Sequence, residues 1–289
     1  MSRLSIICLF PGQGSQSKGM GAGLFDRYPD WTSQADDILG YSIRALCVED
    51  PRGELGLTAF TQPALYVVNA LTYRARQDGG AAAPAFLAGH SLGEYDALLV
   101  AGVFDFATGL RLVQHRGQLM GRVAGGGMAA VVGLEPKQIQ RILDDSEPGR
   151  RIDVANFNTD DQTVLAGQTD DLAAIKAAFE QAGARAFIPL SVSAPFHSRY
   201  MRDAQSEFAA FLSGVTFHAP AIPVISNLSG RPYEGDLVRQ TLSEQIGNSV
   251  RWLESMRYLL DQPDPQFEEV GPGTVLTRLV AQIRKRRRG

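Results

Sequence analysis

Cysteine is scarce in this chain. Cys8 and Cys47 are the only two in 289 residues, and both fall in apolar or helical surroundings. That excludes a disulfide framework and points to a reducing compartment, so a cytoplasmic location is expected. Long apolar runs are missing as well: none reaches the ~18 residues of a membrane span, so no membrane partner is expected. The opening stretch from Met1 to Phe10 enters a glycine-rich motif too soon for a signal peptide and reads as a buried first strand. The four histidines, His90, His115, His197 and His218, are scattered without metal-ligand spacing, so no metal site is expected. The turn after the first strand is neither a Walker loop nor Gly-x-Gly-x-x-Gly, and no cofactor is expected.

A basic surface is missing too. The net charge is −3, and five of the 28 basic residues sit in the tail Arg284-Lys285-Arg286-Arg287-Arg288. Without them 23 basic residues face 31 acidic ones, a balance of −8. That excludes a bulk nucleic-acid-binding surface. The tail itself reads as a solvated, frayed end, or as a device that steers an acidic partner. Hydrophobic residues make up 44% of the chain, enough to bury a sizeable core, and the length suits one large domain with or without a small one.

What is present centres on Phe86-Leu87-Ala88-Gly89-His90-Ser91-Leu92-Gly93-Glu94-Tyr95. A strand pattern runs into Gly-x-Ser-x-Gly and a helical pattern leaves it, the context of a nucleophile elbow. Ser91 is the candidate nucleophile, with the first amides of the next helix aimed at an oxyanion. The plainer alternative is that Ser91 only caps the helix. A second turn, Phe10-Pro11-Gly12-Gln13-Gly14-Ser15-Gln16, follows the first strand and either brings backbone amides to a ligand or is an ordinary junction.

Short helices are expected over about 22–48, a longer one from Phe60 to about Gln77, and a loop at Gly79–Pro84. The stretch Phe106–Val123 is predicted helical. Leu112, Val113, Leu119 and Met120 surround Arg116 on one face, while Arg111, Arg122 and His115 lie off it and read as surface residues. A guanidinium on an apolar stripe must find an anion. Either a core carboxylate pairs with it, or it holds an anionic substrate.

Gly125-Gly126-Gly127 reads as a hinge-like break. Beyond it the pattern predicts strand 128–133, helix 136–143, strands 152–158 and 162–166, helix 170–182 and strand 185–190. That is the β-α-β-β-α-β order of a ferredoxin-like unit. His197 follows an X-Pro kink in Ser191–Ser198, where the chain returns to the large domain. It is either a cleft-wall residue or a cap on the next helix, 199–211. His218 falls in a loop. Alternating strands and helices at both ends predict an α/β fold with a parallel sheet.

Several motifs taken together resemble the malonyl-CoA:acyl-carrier-protein transacylases over nearly the whole chain. They are the two segments just quoted around Gly12 and Ser91, Arg116-Gly117-x-x-Met120, Asn156-Phe157-Asn158, Phe196-His197-Ser198 and Glu269-Val270-Gly271-Pro272-Gly273. Thr61-Gln62-Pro63-Ala64-Leu65 and Ala194-Pro195-Phe196-His197-Ser198 look most like free-standing acyltransferases that serve polyketide synthases in trans. The resemblance implies an α/β-hydrolase-like large domain (1–126 and 194–289) with an inserted ferredoxin-like small domain (127–193). It implies Ser91 as nucleophile, His197 as general base, and the amides of Gln13 and Leu92 as oxyanion hole. It implies Arg116 on the malonyl carboxylate, with His90, Met120, Phe196, Gln245, Asn156 and Asn158 as further substrate-binding positions. In that family main-chain carbonyls near a glutamine, here Gln245, orient the histidine. Malonyl-CoA and a phosphopantetheinylated acyl carrier protein are the implied partners, in fatty-acid or polyketide synthesis, and a monomer is expected. A proofreading acyl hydrolase and a non-catalytic docking module for carrier proteins are the competing expectations. Against the first, a hydrolase of neutral acyl chains has no use for a buried cation at Arg116.

Overall fold

The computed structural model describes residues 4–192 and 194–288. Met1–Arg3 of the expected first strand, Ser193 in the returning segment and Gly289 lie outside the described residues. The chain begins with β1 (Ser5–Phe10), buried on both faces as a central parallel strand must be. Three short helices follow, α1 (Ala22–Arg27), α2 (Pro29–Leu39) and α3 (Ile43–Val48), then the long α4 (Thr58–Asp78). Next come β2 (Phe86–Gly89), α5 (Gly93–Val100) and α6 (Phe106–Arg122).

A second run comprises β3 (Gly126–Val132), α7 (Pro136–Asp144), β4 (Asp153–Thr159), β5 (Gln162–Gln168), α8 (Thr169–Gln181) and β6 (Ala186–Pro189). The chain then forms α9 (Arg202–Leu212), β7 (Val224–Ile225), α10 (Val238–Gln245), α11 (Trp252–Leu260), β8 (Pro265–Glu269) and α12 (Val275–Arg288).

The strands make two sheets. One is parallel, in the order β7-β2-β1-β8, and the other is antiparallel, in the order β4-β5-β3-β6. The fold is therefore α/β with a parallel sheet. In the parallel sheet Phe10 pairs with Gly89, so β1 and β2 end side by side. The loops that leave them, Pro11–Gln13 and His90–Leu92, therefore meet at the carboxyl ends of the strands, where open α/β sheets bind ligands.

Glycine is what lets them meet. A Cβ on Gly89 would lie 1.9 Å from the Gly93 carbonyl, and one on Gly93 would lie 2.0 Å from the Phe10 oxygen. Nearby, α6 packs on α4 through Gly117, whose missing Cβ would stand 3.0 Å from the Thr58 oxygen. That approach turns the Arg116 face of α6 toward α4. Leu112, Val113, Leu119 and Met120 are all buried around Arg116, as the stripe predicted. The antiparallel sheet is tied to the rest through Val250, whose amide and carbonyl bond Ala155 and Phe157 of β4.

Three expectations need correcting. Gly126 and Gly127 are not a break: they pair with Gln168 and Gly167 inside β3, so the strand starts two residues earlier than its apolar pattern. The basic tail is not frayed. It is the end of α12, where Arg284 donates to the Pro265 carbonyl (2.8 Å) and lies over the Phe267 ring, and Arg287 pairs with Asp261. His115 is half-buried rather than a surface residue, 4.2 Å from Phe211 by ring centroids.

Candidate active site

Ser91 occupies the corner between β2 and α5 with φ 51°, a left-handed conformation uncommon for a residue with a Cβ. Its amide donates to Asn227 Oδ1 (2.7 Å), and Asn227 Nδ2 donates in turn to the Gly89 carbonyl (2.7 Å). One asparagine thus clamps both sides of the turn.

His197 also has positive φ, 58°. It is 4% exposed, and its Nε2 lies 2.7 Å from Ser91 Oγ. Its Nδ1 faces two carbonyls, Gln245 at 2.9 Å and Asn248 at 3.2 Å. A carbonyl can only accept, so Nδ1 carries the proton and Nε2 is left to accept from the serine hydroxyl. Burial, then the charge of Arg116, pushes the imidazole down to about 3, so it is neutral at physiological pH.

Arg116 is 1% exposed. Nη1 donates to Gln62 Oε1 (2.7 Å), and Nη2 donates to Gln245 Oε1 (2.9 Å) and Ser91 Oγ (3.1 Å). The guanidinium lies 5.5 Å from the Tyr95 ring centroid, and its Nε has no hydrogen-bond partner. Among the described residues no carboxylate lies within ion-pairing distance of it. The core-carboxylate alternative therefore fails in its direct form. The buried cation rests on neutral oxygens and keeps spare donors.

These groups line a cavity of about 100 Å³ together with Gln13, Leu92, His90, Met120, Asn156 and Phe196. Two further candidates stand behind that wall. Asn158 accepts from His90 Nε2 (2.9 Å), and Asn158 Nδ2 donates to Gln162 (3.2 Å), so it orients His90. Gln245 reaches Arg116 and His197 from below. A wider cleft of about 630 Å³, beside Phe104, Leu112 and Phe211, contains none of these groups. Among the described residues no cluster of His, Cys, Asp or Glu is placed to hold a metal, and no helix is long and apolar enough to cross a membrane.

Sequence reasoning missed four contributors: Asn227 and Gln62, and the buried Glu94, which accepts from Gln245 Nε2 and from the hydroxyl of the fourth, Tyr233. Gln62 and Glu94 lie inside motifs already quoted, yet only folding shows what they touch. Asn227, 136 residues from Ser91, carries no local signal at all.

Comparison with known proteins gives a consistent picture. The profile of the acyl transferase domain family matches residues 7–286. The polyketide biosynthesis protein ThaF of Burkholderia thailandensis is 54% identical over 97% of this chain, and the chain spans only 24% of ThaF. The polyketide biosynthesis malonyl CoA-acyl carrier protein transacylase PksC of Bacillus subtilis is 49% identical, with 97% of each chain covered. A crystal structure of malonyl CoA-acyl carrier protein transacylase from Burkholderia pseudomallei superposes with a TM-score of 0.94 at 52% identity, covering 98% of this chain and 99% of that one.

Proposed function

The chain belongs to the acyl transferase domain family, and on that premise we propose that it moves a malonyl group from malonyl-CoA to the phosphopantetheine thiol of an acyl carrier protein. One observation carries the reading. Ser91 Oγ lies between the neutral His197 Nε2 and a buried guanidinium that has no carboxylate partner.

Ser91 Oγ attacks the thioester carbonyl while His197 Nε2 takes its proton. The Gln13 and Leu92 amides receive the developing oxyanion. The carbon–sulfur bond breaks, His197 returns the proton to the departing CoA thiolate, and a malonyl-serine ester remains. The carrier's thiol then gives its proton to His197 and attacks that ester, and the serine leaves with the proton restored. Arg116 holds the malonyl carboxylate through both half-reactions, in place of one of its amide partners. Met120, Phe196, Asn156 and the Asn158-oriented His90 shape the space around it.

The two sheets support a domain reading as well. The order β4-β5-β3-β6 with α7 and α8 is that of a ferredoxin-like unit, here read as inserted at 127–193 into an α/β-hydrolase-like body. We read the protein as a monomer. A pocket built around a buried cation that has no carboxylate partner favours transfer of a dicarboxylate half-ester over release of neutral acyl groups.

Mass spectrometry after incubation with malonyl-CoA tests the reading. A stable malonyl adduct that is discharged by a carrier protein is expected. Turnover to free malonate without an adduct, or no reaction, would overturn it.

A further inference from the structure

Glu94 is fully buried one turn beyond the nucleophile, and the chemistry above does not use it. Its carboxylate accepts from the Tyr233 hydroxyl, from Gln245 Nε2 (2.6 Å) and from the Asn227 amide, 3.3 Å from each oxygen. Every partner is a group that can donate, so the carboxyl oxygens serve as acceptors here.

Gln245 connects this carboxylate to the site. Its Nε2 also donates to the Ser91 carbonyl (2.9 Å), while its Oε1 accepts from Arg116. Two acceptors therefore stand on one side of the amide and a donor-only guanidinium on the other. A flipped amide would set oxygen against the Glu94 carboxylate and the Ser91 carbonyl, and NH2 against the guanidinium. All three contacts would turn repulsive.

We propose that Glu94 is a positioning residue that locks the Gln245 side-chain amide with its oxygen toward Arg116, so that the guanidinium waits for a substrate carboxylate on neutral oxygens alone. The inference rests on the reading of Arg116 as the malonyl-carboxylate site. Direct pairing of Glu94 with Arg116 would fill the guanidinium with a charge-assisted partner that an incoming carboxylate must displace. With an amide between them the bond to be exchanged is a neutral one, and the lock holds whether Glu94 is ionised or protonated, because Gln245 Nε2 donates to a Glu94 oxygen in either state.

The test compares two substrates in two variants. Burst acylation by p-nitrophenyl acetate reads Ser91 and His197 without the carboxylate, and malonyl-CoA reads Arg116 as well. In Glu94→Ala, kcat/KM for malonyl-CoA is expected to fall at least about tenfold, mainly through KM, with the acetate burst within about threefold of wild type. Glu94→Gln should keep the preference for malonyl within about threefold of wild type, because the introduced amide oxygen still accepts from Gln245 Nε2. Equal losses on both substrates in Glu94→Ala would overturn the proposal. So would loss of malonyl preference in Glu94→Gln, which keeps the test decisive if the alanine variant does not fold. A wild-type chain that forms no malonyl adduct would refute the proposed function instead. Glu94 is then judged by neutron diffraction of Glu94→Ala, which locates the amide deuterons: a turned Gln245 amide supports the lock, and an unmoved one overturns it.

Discussion

Ser91 and His197 stand 106 positions apart in the chain, meet at 2.7 Å, and both hold positive φ, 51° and 58°. Such backbone costs of order 1–3 kcal/mol per residue and persists only where the surroundings enforce it. Here they do. Asn227 clamps the Ser91 corner, and the Gln245 and Asn248 carbonyls fix the His197 ring. Strain at two residues in contact, from different segments, supports the proposal that the pair is the working centre.

The first prediction follows from that pair. Ser91→Ala should abolish covalent labelling by malonyl-CoA and leave the circular dichroism spectrum unchanged. His197→Ala should slow both half-reactions by about 10²–10⁴-fold, the usual worth of general-base help. Stoichiometric labelling that persists in Ser91→Ala would remove the serine from the mechanism.

The elbow, the Arg116 stripe and the alternation of strands and helices were legible because each is a local pattern: Gly-x-Ser-x-Gly, a 3.6-residue period, short apolar runs between helical stretches. The Glu94–Gln245–Asn227 network was not. Hydrogen bonds between residues more than 130 positions apart leave no periodicity, and a buried glutamate in a helix's first turn reads like any acidic N-terminal residue. Gly126 and Gly127 misled because glycine usually punctuates a chain. Here the ladder opposite Gly167 and Gln168 overrides that preference. The arginine tail misled because charge runs usually fray, whereas Leu276, Leu279, Val280 and Ile283 anchor the helix that carries it.

The second prediction concerns stability and pH. His197 is held near 3 when folded, below its ordinary value of about 6.5, so the unfolded chain binds its proton first. That lowers stability as pH falls from about 6.5 toward 3, by up to about 5 kcal/mol. Glu94 acts in the opposite sense. Burial raises it to about 7, against the hydrogen bonds and Arg116 that lower it. The folded chain therefore gains a proton first, and stability falls by about 3 kcal/mol as pH rises from about 4.5 to 7. The two oppose each other between about 4.5 and 6.5. In urea titrations His197→Gln should lose stability as pH rises through that window, and Glu94→Gln should lose it as pH falls. Parallel pH profiles for the two variants would contradict both assignments.

The third prediction concerns the acyl group. Phe196 and Met120, both buried, wall a cavity of only about 100 Å³ beside Arg116. An α-methyl has little room there, and one methyl in a tight pocket is worth about 1–3 kcal/mol. Malonyl-CoA should be preferred over methylmalonyl-CoA by about 10–200-fold in kcat/KM, and Phe196→Ala should narrow the gap. Equal values for the two thioesters in the wild type would refute this.

The last prediction concerns the basic end of α12. Arg287 already faces Asp261 at 2.5 Å and Arg286 faces Glu135 at 3.7 Å, so two of the five tail charges are answered within the chain. Arg284 does structural work, donating to the Pro265 carbonyl and covering the Phe267 ring of β8. Removing residues from 284 onward should therefore cost stability, about 1–2 kcal/mol by chemical denaturation, the worth of a hydrogen bond and a cation–π contact. Kinetics with an acidic carrier protein should change little, because steering needs charge that is not already paired. The deciding measurement is KM for the carrier at low and high salt in both proteins. A KM that rises on truncation at low salt and recovers as salt screens the interaction would show that the tail steers its partner after all.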